Sequence, residues 1–339
     1  MRFVGTAFLA TTILMSSTTL ANADVKVIAS IKPVHSLVAA VMEGVGKPEL
    51  LVEGAGSPHT YSLKPSQANK LQEADLVFWM SHDLEAFLEN SIESIAKNAK
   101  AISLMDAHDL IKLNFREGGA FDAHDHDDHD DHKDHDDHGH DDHKDHDDHG
   151  HDDHKDHDDH GHDDHGHHGT DPHVWLDPVN AKAMIHEIEE ALIEADPANA
   201  SAYQANAKAM MSKLDNLVAE IDAELQPVKG RGYVVFHDAY QYFENRFGVS
   251  AVGSITVSPE VLPGAERVAE LREKVRNLDA TCVFSEPQFE PKLLKTVTEN
   301  TNAGTGVLDP LGASIDDGSE LYFTLIRNMA KSLKDCLLK

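Results

Sequence analysis

The longest helical pattern in the chain is "DPANASAYQANAKAMMSKLDNLVAEIDAELQPV", residues 196–228. Pro197 suits the first turn of a helix and Pro227 ends one, because proline lacks the N–H that a helix interior needs. About 28 residues at about 1.5 Å each form a rod of roughly 40 Å. A rod of that length can run along a two-lobed protein, so the pattern predicts a linking helix at residues 197–228.

Short apolar stretches alternate with helical patterns on both sides of this helix. Before it lie "VKVIAS" (25–30) and "DLVFWM" (75–80), and after it lie "GYVVFH" (232–237) and "ATCVFSE" (280–286). Such alternation is typical of parallel sheets covered by helices. The predicted fold class is therefore α/β: two (β/α) lobes with mostly parallel sheets, joined by one long helix. A chain of 339 residues is long enough for two lobes.

The first 23 residues have the pattern of a cleaved export signal. "MR" precedes the apolar stretch "FVGTAFLATTILM" (3–15), and "ANA" (21–23) supplies the small residues of a signal peptidase site. A membrane anchor is the less favoured alternative, because a span needs about 20 apolar residues. We expect an exported, periplasmic protein with an N-terminal lobe at 24–196 and a C-terminal lobe at 229–339.

Residues 122–168 form a tract made almost entirely of His and Asp. It contains "HDDHKDHDDHG" three times in succession, from His129 to Gly161, and 18 of the chain's 25 histidines. With no apolar side chain from His124 to His168, the segment is predicted to be a disordered loop. Its 21 Asp and 3 Lys carry a charge of −18, more than half of the net −31. The chain has no basic patch that would indicate nucleic-acid binding.

The two cysteines, Cys282 and Cys336, suggest one disulfide, because an even number of cysteines in an exported chain is usually paired. The bridge would join a buried strand to the end of the C-terminal helix. A metal site built from the two thiolates is the alternative, but their spacing fits no compact zinc motif.

Three isolated histidines lie where an α/β protein binds ligands, at or beyond the carboxyl ends of strands. His59 lies in "EGAGSPHTYSL" (53–63), His173 lies in "TDPHVWLDP" (170–178), and His237 ends a predicted strand. A cleft between the lobes could bring the three together. The remaining isolated histidines are interpreted as ordinary surface or core residues: His35, His82, His108 and His186.

Several motifs together resemble the zinc-binding proteins of bacterial high-affinity zinc ABC importers, a family that also has manganese-binding relatives. The motifs are "EGAGSPHTYSLKPSQANKLQEADLVFWM" (53–80), "PHVWLDP" (172–178), "YVVFHDAYQYFENRFG" (233–248), "ATCVFSEPQF" (280–289) and "LDPLG" (308–312). They follow the family's order, with the His-rich insert in the family's position. The resemblance covers the chain from about Asp24 to Lys339.

The resemblance implies two lobes with a metal between them and one rigid helix joining them. His59, His173 and His237 match the family's three histidine ligands. Asp309 matches a carboxylate that binds the metal in some relatives and is replaced by water in others. Zinc-binding members often have a disulfide at the positions of the two cysteines. The implied function is capture of Zn²⁺ and its delivery to the membrane permease of a zinc ABC importer, by a monomer without catalytic activity.

Coordination chemistry favours the same metal. Three imidazoles and one oxygen suit tetrahedral Zn²⁺, whereas Mn²⁺ prefers more oxygen ligands. A manganese or general divalent-metal receptor remains the alternative, as does a metal-buffering or adhesion protein without a transporter. Three histidines with an open fourth position also describe a catalytic zinc site. The chain has no HExxH, GxSxG or phosphate-loop motif, so we expect no enzyme.

The tract alternates imidazole and carboxylate groups, so that any few consecutive residues can chelate zinc weakly. Many weak sites tethered beside one tight site raise the local metal concentration. We therefore expect the tract to be an accessory zinc collector, with a sensing role or a merely solvated loop as alternatives. Its representative ligands are His129, His132, His135, His138, His140 and His143.

Overall fold

The computed structural model describes residues 25–116, 121, 169–256, 265–277, 281–289 and 291–339. The predicted export signal at 1–23 and the His/Asp tract at 122–168 lie outside the described residues. Two parallel sheets of four strands each are present in the described part of the chain.

The two sheets have the same topology. The first contains β1 (Val27–Ala29), β2 (Glu49–Leu50), β3 (Leu76–Trp79) and β4 (Lys100–Ser103), in the order β2-β1-β3-β4. The second contains β5 (Tyr233–His237), β6 (Ala251–Thr256), β7 (Cys282–Ser285) and β8 (Gly304–Val307), in the order β6-β5-β7-β8. Because all strands of a sheet are parallel, their carboxyl ends meet at one edge, where loops can form a site.

Helices connect the strands and cover the sheets. In the first half they are α1 (Lys32–Val41), α2 (Pro65–Gln72), α3 (Ala86–Ser94) and α4 (Pro178–Ala195), followed by α5 (Ala200–Leu225). In the second half they are α6 (Gln241–Phe247), α7 (Ala265–Asn277), α8 (Pro291–Thr298) and α9 (Leu321–Leu337). None of the helices in the described ranges has the length and apolarity needed to cross a membrane.

The linking helix agrees with the sequence pattern. α5 has 26 residues, and a 3-10 turn extends it at each end, so that helical residues run from Pro197 to Val228. Its buried face includes Leu214, Leu217 and Ile221, which recur at the three- and four-residue spacing of one helical face. The fold class, two parallel α/β lobes joined by a long helix, is confirmed.

One apolar core crosses from lobe to lobe. The largest cluster of buried side chains includes Phe78 of β3, Leu217 of α5, Val235 of β5 and Ile326 of α9. A continuous core resists hinge motion, because opening the lobes would expose apolar surface to water. The predicted disulfide is also present: Cys282 of β7 is bonded to Cys336 of α9, 54 residues later.

Candidate metal centre

The three isolated histidines singled out in the sequence meet at the edge where the strands end. One nitrogen from each of His59, His173 and His237 lies within 4.8 Å of the other two. The ring of His59 is centred 5.5 Å from the ring of His173 and 5.8 Å from that of His237. Among the described residues, these form the one group of three or more His, Cys, Asp or Glu side chains with metal-binding spacing.

Each histidine comes from a different element. His59 lies in the loop after β2, which Tyr61 and Gln67 anchor by donating hydrogen bonds to the carbonyl oxygen of Leu51, 3.2 and 2.6 Å away. His173 immediately precedes a 3-10 turn, residues 174–176, which leads into α4. His237 is the last residue of β5.

Carboxylates fix two of the rings. Nδ1 of His173 lies 2.7 Å from Oδ1 of Asp171, and Nδ1 of His237 lies 2.7 Å from Oε1 of Glu286. A neutral imidazole that donates its Nδ1 proton to a carboxylate presents an unprotonated Nε2 to a metal. Asp171 also accepts a hydrogen bond from the backbone N–H of His173, at 2.9 Å.

The two Nε2 atoms are spaced for a shared ion. They lie 3.4 Å apart. Two nitrogens bound to one tetrahedral Zn²⁺ at about 2.0–2.1 Å each are separated by about 3.3 Å. Two acceptor lone pairs facing one another without a proton or a cation repel, so the arrangement favours a bound cation.

The cavity between the rings is small. Its volume is about 10 Å³, and its lining includes the three histidines, Trp175 and Phe289. That volume corresponds to about one water molecule. His173 and His237 are only 4% and 5% exposed, whereas His59 is half-buried and lies on the solvent side. The space between the rings therefore fits a single ion with a water.

The charge of Glu286 changes the protonation of His237. Burial by itself lowers the pKa of this imidazole, but the negative charge and hydrogen bond of Glu286 outweigh burial and raise the pKa above its ordinary value. The same carboxylate that favours the imidazolium also stabilises a metal cation on the opposite nitrogen.

Asp309, the candidate fourth ligand, does not join the three histidines. Its Oδ1 accepts hydrogen bonds from the backbone N–H groups of Leu311 and Gly312, at 3.1 and 2.9 Å, and from the Gln288 side chain at 3.0 Å. Its Oδ2 accepts from the N–H of Ala313 at 2.6 Å. The carboxylate therefore closes the turn of "DPLGA", since the short side chain of aspartate readily accepts hydrogen bonds from the backbone N–H groups of the residues that follow it.

The four histidines interpreted as ordinary residues lie outside the group. Nε2 of His35 is buried 3.1 Å from the carbonyl oxygen of Pro48, and exposed His82 pairs with Glu89 at 2.7 Å. His186 lies on the exposed side of α4, near acidic side chains, and His108 lies in an exposed connection. The tract histidines lie outside the described residues.

Sequence reasoning missed the two carboxylates that support the rings. Asp171 stands two residues before His173, inside a motif already singled out. Glu286 follows β7, the strand beside β5 in the sheet. Parallel strands end at the same edge of a sheet. This rule could have identified Glu286, because Glu286 comes directly after β7 and His237 is the last residue of β5.

Comparisons with known proteins identify the family of the chain. The family model described as "ZnuA: Zinc-uptake complex component A periplasmic" matches residues 27–336. The chain belongs to the ZnuA family. The resemblance expected from the motifs is confirmed, and the family is a periplasmic one by its description.

Relatives and a solved structure match over nearly the whole chain. A "High-affinity zinc uptake system protein ZnuA" of Brucella suis is 57% identical over 99% of this chain and 98% of its own length. The protein of the same name from Paracoccus denitrificans is 42% identical over 94% and 93%. A ZnuA deletion mutant with zinc bound superposes with a TM-score of 0.68 at 23% identity, covering 93% of this chain and 98% of its own. At that identity the superposition establishes the fold.

Proposed function

We propose that this protein captures Zn²⁺ between its two lobes and delivers it to the membrane permease of a zinc ABC importer. His59, His173 and His237 are the ligands. The observation that carries the proposal is the convergence of their nitrogens within 4.8 Å. Membership in the ZnuA family and the zinc-uptake names of the relatives support the same metal and the same process.

A water molecule, rather than Asp309, completes the proposed tetrahedral shell. All the hydrogen-bonding contacts of the Asp309 carboxylate described above are directed at its own loop and Gln288. The carboxylates closest to the histidines, Asp171 and Glu286, are engaged by ring Nδ1 atoms. A shell of three nitrogens and a water suits Zn²⁺ better than Mn²⁺, which prefers more oxygen ligands.

The protein moves an ion and performs no catalysis in this proposal. Support comes from the sequence, which has no HExxH or GxSxG motif. The chain acts as a monomer without nucleic acid. It reaches the periplasm through a signal peptide at residues 1–23 that is cleaved before Asp24.

The His/Asp tract, residues 122–168, is proposed to be the accessory collector. It belongs to the N-terminal lobe, 24–196, which the helix at 197–228 joins to the C-terminal lobe at 229–339. The residues on either side of the tract support this role, because Asn114 pairs with Thr170, three residues before His173. A metal ion held weakly by the tract is therefore tethered beside the tight site, where its effective concentration is high.

Zinc titration by calorimetry on the full chain and on His59→Ala tests the proposal. We expect one tight site in the parent protein, with weaker binding by the tract, and loss of the tight site alone in His59→Ala. His82→Ala is the matched control, because His82 is an exposed histidine paired with Glu89 outside the site. Tight binding that survives in His59→Ala would contradict the assignment of the ligands.

A further inference from the structure

Two short segments that flank the His/Asp tract pair with each other. The N–H of Phe115 donates to the carbonyl oxygen of Gly169 at 2.7 Å, and the N–H of Asp171 donates to that of Leu113 at 2.9 Å. Asn114 and Thr170 form an antiparallel bridge between these two bonds. Residues 113–116 and 169–171 are called the stem below.

The stem is bonded to α6 of the second lobe. The Gln241 side chain donates to the carbonyl oxygen of Asn114 at 2.9 Å and to Oδ2 of Asp171 at 2.7 Å. The hydroxyl of Tyr242 donates to the carbonyl oxygen of Asp171 at 2.8 Å and accepts from the N–H of Leu113 at 2.9 Å. Asp171 is fully buried and is the carboxylate that orients His173.

Arg116 ties the stem to the corner that follows His237. Its guanidinium donates hydrogen bonds to the Asp238 carboxylate from Nε, 3.0 Å from Oδ2, and from Nη2. It also donates from Nη1 to Oε2 of Glu244 at 2.6 Å. Asp238 and Glu244 are 5% and 4% exposed, so two buried carboxylates share this one guanidinium. Planar guanidinium groups suit such multidentate contacts with carboxylates.

These contacts connect the supports of two candidate ligands. Asp171 orients His173 and accepts from Gln241, while Asp238 is the residue after His237 and accepts from Arg116. One stem therefore touches both sides of the metal centre across the lobe boundary.

We propose that Arg116 is a positioning residue for zinc: it latches the stem to the corner after His237 and so holds His173 and His237 at the spacing of a shared ion. The latch slows the release of zinc. The part of this inference that concerns zinc rests on the proposed function. Without Arg116, Asp238 and Glu244 are buried carboxylates that lack this cation, and the hydrogen bonds that join the corner to the stem are lost.

The test compares Arg116→Met, Arg116→Lys and Arg327→Met in the full chain. Arg327 of α9 is the matched control, because its guanidinium also makes a two-pronged contact, with Glu220 of α5 at 2.8 and 2.7 Å, but it is not part of the stem. Zinc release into excess chelator is followed by stopped flow. We expect release about tenfold faster in Arg116→Met, partial recovery in Arg116→Lys and no change in Arg327→Met, since partners behind metal ligands typically influence affinity about 10–100-fold.

Cobalt spectra separate positioning from general stability. The visible bands of Co²⁺ report the geometry of its ligands, so we expect Arg116→Met to shift them and Arg327→Met to leave them unchanged. An Arg116→Met protein that unfolds more easily, yet releases zinc at the parent rate with the parent cobalt spectrum, would show a purely structural role and overturn the proposal.

Failure of the proposed function has a different signature. If the parent protein has no tight zinc site that His59→Ala removes, the proposed function is wrong. The contact between Arg116 and the corner is then tested by amide hydrogen exchange on the metal-free proteins. Faster exchange at residues 169–173 and 237–244 in Arg116→Met, but not in Arg327→Met, would support the latch. Equal exchange in the parent and Arg116→Met would overturn it.

Discussion

The Nε2 atoms of His173 and His237 face each other at 3.4 Å across the boundary between the two lobes. Each ring is held from behind by a carboxylate, 2.7 Å from its Nδ1. The two side chains are therefore fixed without an ion, and as the proposed ligands they would lose little conformational entropy on binding one. His59 is more exposed than His173 and His237, which suggests that an ion enters from the side of His59.

Glu286→Gln is expected to weaken zinc binding about tenfold. The amide oxygen can still accept the Nδ1 proton of His237, so the ring orientation is kept, but the negative charge that stabilises the bound cation is lost. Competition titration against a chelator of known affinity measures the change. Glu220→Gln, which alters an exposed carboxylate on α5, is the control. Unchanged affinity in Glu286→Gln would mean that the charge behind His237 is unimportant.

Asp309→Ala is expected to reduce stability and to leave zinc affinity within about threefold. The substitution removes the acceptor for three backbone N–H groups and Gln288, and each lost bond of this kind costs about 1 kcal/mol. Urea unfolding and chelator competition measure the two effects separately. A loss of affinity as large as that of His59→Ala would instead identify Asp309 as a ligand.

The convergence of His59, His173 and His237 could be predicted from sequence because each histidine is placed by a local rule. His59 and His173 lie in loops rich in Gly, Pro and Asp, and His237 ends a strand. The direction of the Asp309 carboxylate could not be predicted, because it depends on the N–H groups of the folded turn.

The architecture was more predictable than the contacts between its parts. The prolines at 197 and 227 and the apolar spacing between them determine the linking helix. The latch by Arg116 could not be predicted, because its partners Asp238 and Glu244 are more than 120 residues away in sequence. A lone arginine beside an acidic tract looks like an ordinary surface charge until the fold brings two buried carboxylates to it.

Replacement of residues 122–168 by a short Gly/Ser linker is expected to leave the tight zinc site intact and to remove the weaker sites. The three candidate ligands and their carboxylates all lie outside this segment. Calorimetry should show a lower zinc stoichiometry with the dissociation constant of the tight site unchanged. A linker of the same length as the tract, with Ser in place of His, is the control for chain length. Loss of the tight site in either variant would make the tract the receptor.

Glu85 links the stability of the metal-free protein to pH. Its side chain is completely buried, and Oε2 accepts a hydrogen bond from the N–H of Met80 at 2.7 Å. Burial raises the pKa of this carboxyl to about 7, although its hydrogen bond from Met80 opposes the shift. In the unfolded chain the pKa returns to about 4.3. The folded state therefore binds more protons than the unfolded state between these two values.

Stability that comes from Glu85 is present below about pH 4 and is lost as the pH rises towards 7. Glu85→Gln is neutral at every pH, so its stability relative to the parent should improve by about 3 kcal/mol between pH 5 and pH 8. Urea unfolding of both metal-free proteins at the two pH values measures this difference. The histidines are the same in both proteins, so their contribution to the pH dependence cancels in the comparison. Glu220→Gln, an exposed carboxylate, should show no comparable gain. A pH-independent difference between parent and Glu85→Gln would mean that the buried carboxyl does not titrate in this range.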